Sequence, residues 1–135
     1  MNPDALSDLV LLAACAASAW RVAVVRAAWR GAMLLLGLAA AMGVLRYSGL
    51  EWALGPHRFF SLLAACAAFW LMAVALRWPQ APLASQATAV GRFVVLLGGL
   101  GIAASQVGAA WWAQVVPGLS ALVLAWTMVQ QRSAL

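Results

Sequence analysis

The chain has 135 residues, of which 67% are hydrophobic and 8% are charged, and its formal net charge at pH 7 is +5. Soluble domains are roughly half apolar and about a quarter charged, so this composition excludes a soluble domain. All eight basic residues are arginines that lie between apolar segments instead of on one polar face, which argues against nucleic-acid binding and indicates a fold immersed in lipid.

Apolar windows free of charge predict the membrane-spanning helices, because about 20 apolar residues are needed to cross roughly 30 Å of hydrocarbon. The spans predicted in this way, in chain order, are residues 6–25, 31–50, 59–76, 93–110 and 113–129. The uncharged segment between Arg92 and Arg132 is too long for one span, so we expect it to reverse near residues 108–116, with Pro117 in the first turn of the next helix. In a four-span alternative this segment does not cross twice.

The distribution of arginines predicts an N-out, C-in orientation, because cytoplasmic loops carry the excess of basic residues. With the N-terminus outside, six arginines fall at or near the cytoplasmic side: Arg21, Arg26, Arg30, Arg77, Arg92 and Arg132. Only Arg46 and Arg58 fall outside, whereas the four-span alternative moves one more arginine out. We therefore predict one all-α integral membrane domain over residues 1–135, a bundle of about five transmembrane helices. The absence of lysine fits a GC-rich bacterial genome and hence the bacterial inner membrane.

The heptapeptide LLAACAA occurs twice, at residues 11–17 and 62–68, and contains both cysteines, Cys15 and Cys66. Either the chain carries a tandem duplication or two helices rich in alanine and leucine match by chance. Small residues four apart, such as Ala13 and Ala17, let two membrane helices approach closely. The cysteines have too few ligating neighbours for a metal site, so we interpret them as small apolar residues that form neither a metal site nor a disulfide.

A second set of small residues recurs at intervals of three and four in the fourth predicted span. Its members are Gly98, Gly101, Ser105 and Gly108. This spacing predicts a helix-packing seam whose partner is either another helix of the chain or another protein. Alternatively, the segment from Gly98 to Gly101 unwinds within the membrane and, with Ser105 and Gln106, lines a transport path.

Most of the remaining polar side chains are predicted to gather at the outer ends of the first three spans. This candidate outer polar cluster consists of Asp8, Arg46, Tyr47, Glu51 and His57. Ionisable groups inside membrane segments are costly and are usually paired or functional, and Asp8 with Arg46 is the pair that we expect. In the simpler interpretation Asp8 caps the first helix while Arg46 extends to the lipid headgroups.

Three arginines at intervals of five and four form a candidate inner basic cluster: Arg21, Arg26 and Arg30. The simpler interpretation is that they set the topology and contact anionic lipid, and the alternative is that they bind an acidic partner.

The stretches ALSDLVLLAACAASAWR and LAAAMGVLRYSGL in the first 50 residues resemble small bacterial membrane proteins related to the alkaline ceramidase and adiponectin receptor superfamily. The resemblance implies a helical membrane fold, in a superfamily of hydrolases that hold zinc with three histidines. In this chain Arg46, Tyr47 and Ser48 stand where a Gly-x-x-x-His-Gly type ending is expected, and His57 is the only histidine. A three-histidine zinc site is therefore not expected here.

The sequence contains no phosphate-binding glycine loop, no nucleophile elbow and only three acidic residues. We therefore expect a protein that is not an enzyme and needs no catalytic residue, metal or cofactor. Its expected role is helix–helix packing, as an accessory subunit of a membrane complex or as an oligomer, with the lipid bilayer and other membrane subunits or itself as partners. The alternatives are a small homo-oligomeric transporter or channel, and a degenerate relative of the membrane zinc hydrolases.

Overall fold

A computed structural model describes residues 2–21 and 26–133, together with their side chains except those of residues 21 and 131–133. The helices in chain order are α1 (Pro3–Arg21), α2 (Ala27–Tyr47), α3 (Leu54–Arg77), the four-residue α4 (Pro82–Ser85), α5 (Ala87–Gln106) and α6 (Trp112–Ser133). A 3-10 turn at Glu51–Ala53 immediately precedes α3. All regular secondary structure in the described residues is helical.

Five of these helices are long and apolar enough to cross a bilayer, and the mean hydropathy of their spanning windows runs from 1.2 in α1 to 2.3 in α3. The uncharged segment between Arg92 and Arg132 forms most of α5, then reverses and forms α6 up to its last two residues, as the five-span prediction requires. The prediction of an all-α bundle with five spanning helices is therefore confirmed. The chain is a multi-pass membrane protein.

Two of the observed helices are longer than the predicted spans, because they include charged residues at which the prediction ended the spans. The third helix begins at Leu54 instead of residue 59 and includes Arg58, and the fourth spanning helix begins at Ala87 instead of residue 93 and includes Arg92. An arginine near a helix end can hold its guanidinium in the headgroup region while its aliphatic stem lies along the helix. Residues 22–25, which the first predicted span included, lie outside the described residues.

The reversal between α5 and α6 occupies residues 107–111, and Gly108 there has a φ of +73°, a left-handed conformation that side chains with a Cβ rarely adopt. The prediction that Pro117 lies in the first turn of the next helix is wrong, because Pro117 is the sixth residue of α6 and lies inside the helix. Since proline has no N–H, the carbonyl of Ala113 loses its usual helical hydrogen bond at this point.

The third helix lies at the centre of the bundle and contacts α2, α5 and α6, whereas α1 contacts only α2 among the described elements. The core that α2 and α3 share is built largely from small residues: Ala28, Ala32, Ala64, Ala67, Ala68 and Ala75, with Leu71 as a large member. Lipid offers no hydrophobic drive for helix association, so close backbone approach and van der Waals contact must hold this core together.

Glycines mark the places where the helices approach most closely. An ideal Cβ on Gly31 of α2 would lie 2.6 Å from Val90 Cγ1 of α5, and one on Gly98 of α5 would lie 2.9 Å from Leu63 Cδ1 of α3. The α1–α2 interface is joined by a side-chain hydrogen bond, in which the indole N–H of Trp29 donates to Ser18 Oγ at 3.2 Å.

The two ends of the bundle differ sharply in charge. At one end, four of the long helices have an arginine in their first or last turn, namely Arg21, Arg30, Arg77 and Arg132. At the same end the guanidinium of Arg26, the residue before α2, donates to the Ala75 carbonyl in the last turn of α3. We call this the Arg-rich end, and the other the Asp8 end. The Asp8 end holds all three side-chain carboxylates of the chain, those of Asp4, Asp8 and Glu51.

Candidate functional site

The polar side chains of the Asp8 end converge on a glycine of α2. An ideal Cβ on Gly43 would overlap Asp8 Oδ2 of α1 and would lie 3.2 Å from His57 Cε1 of α3. The carboxylate and the imidazole therefore flank the same face of Gly43, and both side chains are half-buried. The missing side chain of Gly43 creates the space that Asp8 occupies between the helices.

His57 joins this point to the rest of the predicted cluster. Its Nδ1 lies 3.4 Å from the Ala39 carbonyl oxygen, so an N–H at this nitrogen donates to the backbone of α2. The ring meets the Tyr47 ring edge to face, with centroids 5.8 Å apart. The guanidinium carbon of Arg46 lies 4.9 Å from the centroid of the same Tyr47 ring, which is a cation–π distance.

The structure thus brings four members of the predicted cluster together, Asp8, Arg46, Tyr47 and His57, and adds Gly43. Glu51 is exposed in the 3-10 turn, and no hydrogen bond or ring contact in the described part of the chain joins it to the others. The expected ion pair between Asp8 and Arg46 is likewise not formed among the described residues, because Asp8 faces Gly43 and Arg46 covers Tyr47.

The cluster can hold protons and accept hydrogen bonds, since a carboxylate and an imidazole lie on either side of one glycine. The side chain whose ring contacts the imidazole, Tyr47, carries a phenol hydroxyl. Across the described ranges no three side chains of His, Cys, Asp or Glu lie close enough together to share a metal ion. The arrangement thus places a carboxylate, an imidazole and a phenol at one end of the bundle.

The predicted inner basic cluster divides into residues with different roles. Arg26 is committed to the Ala75 carbonyl, and it thereby satisfies one of the backbone acceptors that the end of α3 leaves unpaired. Arg30 lies one turn further along α2 and is exposed. Arg21 ends α1, and its side chain lies outside the described part of the structure.

Only two of the four residues of the predicted α5 seam, Gly98 and Gly101, lie at contacts with other helices. Gly98 contacts Leu63 of α3, and Gly101 is buried, with its ideal Cβ position 3.5 Å from the indole nitrogen of Trp112. Ser105 is exposed and donates to the Ile102 carbonyl of its own helix at 2.6 Å. Gly108 lies beyond the last residue of α5, so it is part of the turn and not of the stripe. The helix is continuous through Gly98 and Gly101, without the unwound segment of the transport alternative.

The two cysteines are free, buried and located at different interfaces. Cys15 Cβ lies 3.7 Å from the ideal Cβ position of Gly37, between α1 and α2. Cys66 lines a small cavity of about 10 Å³ between α3 and α5, beside Gly101. The buried indole nitrogen of Trp112 lies nearby, 3.5 Å from the ideal Cβ position of Gly101.

The two copies of LLAACAA have opposite surroundings. In α3 the alanines at positions three, six and seven of the heptapeptide are buried, at Ala64, Ala67 and Ala68. The corresponding residues of α1, which are Ala13, Ala16 and Ala17, are all exposed. These three alanines are thus internal contacts in one helix and uncovered in the other, whereas the cysteine is buried in both copies.

The uncovered side of α1 has a regular arrangement, which we call the α1 outer face. Its members are Leu6, Val10, Ala13, Ala17 and Trp20, all exposed, at intervals of four, three, four and three residues. These intervals are those of a helix seam that repeats every seven residues. The large side chains lie at the two ends of the face and the two alanines lie between them.

Comparisons with protein-family models, curated proteins and solved structures find no match to this chain. The resemblance to the ceramidase and adiponectin receptor superfamily stays a prediction.

Proposed function

We propose that the chain is a non-enzymatic protein of the bacterial inner membrane, oriented N-out and C-in, that acts through helix–helix packing as an accessory subunit of a membrane complex or as an oligomer. The orientation is supported by the arginines, because six of the eight lie on helices at the Arg-rich end. The packing role is supported chiefly by the α1 outer face.

The argument from α1 depends on what alanines do in a membrane. A helix that only faces lipid gains nothing from small side chains, whereas alanines four residues apart let a second backbone approach closely. Ala13 and Ala17 have this spacing, and no described helix of the chain covers them. In α3 the same heptapeptide is covered by neighbouring helices. A partner helix on the α1 outer face would give the first copy the surroundings that the second already has.

The test is to replace Ala17 with leucine and to measure association. The larger side chain holds a partner helix away, and an overpacking cost of about 1–3 kcal/mol corresponds to an association that is about 5- to 150-fold weaker. Ala103→Leu is the matched control, because Ala103 is exposed on α5 and lies away from the α1 outer face.

The particle mass in mild detergent and the identity of co-purifying chains provide the readout. We expect the wild type and the Ala103→Leu variant to form the same assembly, and Ala17→Leu to release a monomer. A wild-type chain that is monomeric and alone in both mild detergent and lipid nanodiscs contradicts the proposal. So does an Ala17→Leu variant that associates as strongly as the control.

A further inference from the structure

A groove opens between α2 and α5 at the Arg-rich end of the bundle. Its volume is about 510 Å³, and its lining includes Arg30, Gly31, Leu34, Ser85, Val90 and Gly91. Residue 30 lies near the start of α2 and residue 34 lies one turn deeper, so the groove runs from the end of the bundle towards the membrane interior. Most of its wall is apolar, while Arg30 places a positive charge near its entrance.

The charge of Arg30 has no counterpart within the described structure. Among the described residues no side-chain carboxylate forms an ion pair with it, and those of Asp4, Asp8 and Glu51 are at the Asp8 end. Its neighbour Arg26 differs, because that guanidinium donates to the Ala75 carbonyl. The groove is also bordered by Ala27 and Ala87, the first residues of α2 and α5, so the positive ends of two helix dipoles face the same region.

We propose that this groove binds one anionic glycerophospholipid. The lipid phosphate pairs with Arg30, and one acyl chain lies along Gly31, Leu34, Val90 and Gly91. An arginine guanidinium pairs well with phosphate oxygens, and the apolar wall below it accepts hydrocarbon in place of bulk lipid. This site involves neither α1 nor its outer face, so it does not depend on the proposed packing function.

Two variants remove the two halves of the site, and the chain offers a matched control for each. Arg30→Gln removes the charge, and Arg58→Gln makes the same change at an exposed position of the Asp8 end. Gly91→Leu fills the groove, and Gly99→Leu makes the same change two turns further along α5. An ideal Cβ at either glycine meets no atom within 4 Å, so both substitutions begin in open space.

The full-length protein is purified in mild detergent and titrated with phosphatidylglycerol, and the bound lipid is counted by native mass spectrometry. Phosphatidylcholine with the same acyl chains and inorganic phosphate are titrated in parallel. We expect phosphatidylglycerol to bind at least about tenfold more weakly to Arg30→Gln than to Arg58→Gln, since a charge-assisted contact supplies that much affinity. Gly91→Leu should also bind it more weakly than Gly99→Leu, because the leucine occupies the space of the acyl chain. Phosphatidylcholine should bind more weakly to the wild type.

Equal retention of phosphatidylglycerol by all four variants, or equal loss from all four, overturns the proposal. The site binds a free anion if inorganic phosphate binds as strongly as phosphatidylglycerol and Gly91→Leu binds phosphatidylglycerol as well as the wild type does. This result overturns the lipid assignment. Failure of the Ala17→Leu experiment leaves these outcomes unaffected.

Discussion

Gly43 of α2 faces the side chains of Asp8 and His57, and its replacement by alanine has two opposing effects on the free energy of unfolding. Alanine is favoured over glycine inside a helix by up to about 1 kcal/mol. Its methyl group, however, would overlap Asp8 Oδ2 and lie 2.8 Å from Asp8 Cγ, so either Asp8 must turn away or α1 must shift. Overpacking of this kind costs about 1–3 kcal/mol. We therefore expect Gly43→Ala to lower the free energy of unfolding by about 1 kcal/mol.

The sign of this effect should depend on Asp8. Asp8→Ala removes the carboxyl group that the new methyl would meet, which leaves only His57 Cε1, at 3.2 Å from the ideal Cβ position. In that background Gly43→Ala keeps its helix-propensity gain and should raise the free energy of unfolding by up to about 1 kcal/mol. The coupling energy between the two positions should then be about 1–3 kcal/mol, which is the overpacking term alone.

The assay is reversible unfolding in mixed detergent micelles, followed by the fluorescence of the eight tryptophans, for the four proteins of the cycle. Gly99→Ala is the control, because its ideal Cβ meets no atom within 4 Å, and we expect the same small effect whether or not Asp8 is present. If Gly43→Ala changes stability equally with Asp8 and with alanine at position 8, the contact between α1 and α2 described above is refuted.

Two further predictions concern the repeat and the orientation. Ala67→Leu should lower the free energy of unfolding by about 1–3 kcal/mol, because Ala67 is 0% exposed in the core. The same substitution at its counterpart Ala16, which is exposed, should change the free energy of unfolding by less than about 0.5 kcal/mol. Equal effects in the unfolding assay would contradict the opposite surroundings of the two copies. A reporter that is active only in the periplasm and is fused after Leu135 should stay silent, and a strong signal would overturn the C-in orientation.

The number and approximate position of the spanning helices follow from the sequence because the bilayer fixes both their length and their polarity. What composition does not fix is where a helix ends near an arginine. Arg58 and Arg92 lie inside helices that begin before the predicted charge-free spans. A helix can include such an arginine because the backbone hydrogen bonds do not depend on the side chain and the guanidinium can reach the headgroups. The short α4 has neither the length nor the apolar run that would distinguish it from a loop.

The convergence of Asp8, Tyr47 and His57 at one end was predictable from topology alone, because successive spans run in opposite directions. The residue that faces Asp8 could not be predicted in this way. Both α2 and α3 are apolar on all sides, so no polar face in their sequences indicates which side of each helix turns inward. Gly43, instead of Arg46, faces Asp8 because packing sets the rotation of α2, and a glycine in an apolar helix gives only the hint that something approaches it closely.

The two copies of LLAACAA show how little a short apolar sequence specifies its surroundings in lipid. In water, an exposed alanine-rich helix face and a buried one differ in hydration, and burial is favoured. In the hydrocarbon core both surroundings are apolar, so the preference for a helix over lipid comes only from how closely the surfaces fit. Cys66 and its neighbours are buried because α3 is the central helix, whereas Ala13 and Ala17 are exposed because α1 contacts α2 alone. A duplicated motif in a membrane protein therefore predicts a shared ability to pack closely, and the position of each helix in the assembly decides whether its own chain uses that ability or leaves it to a partner.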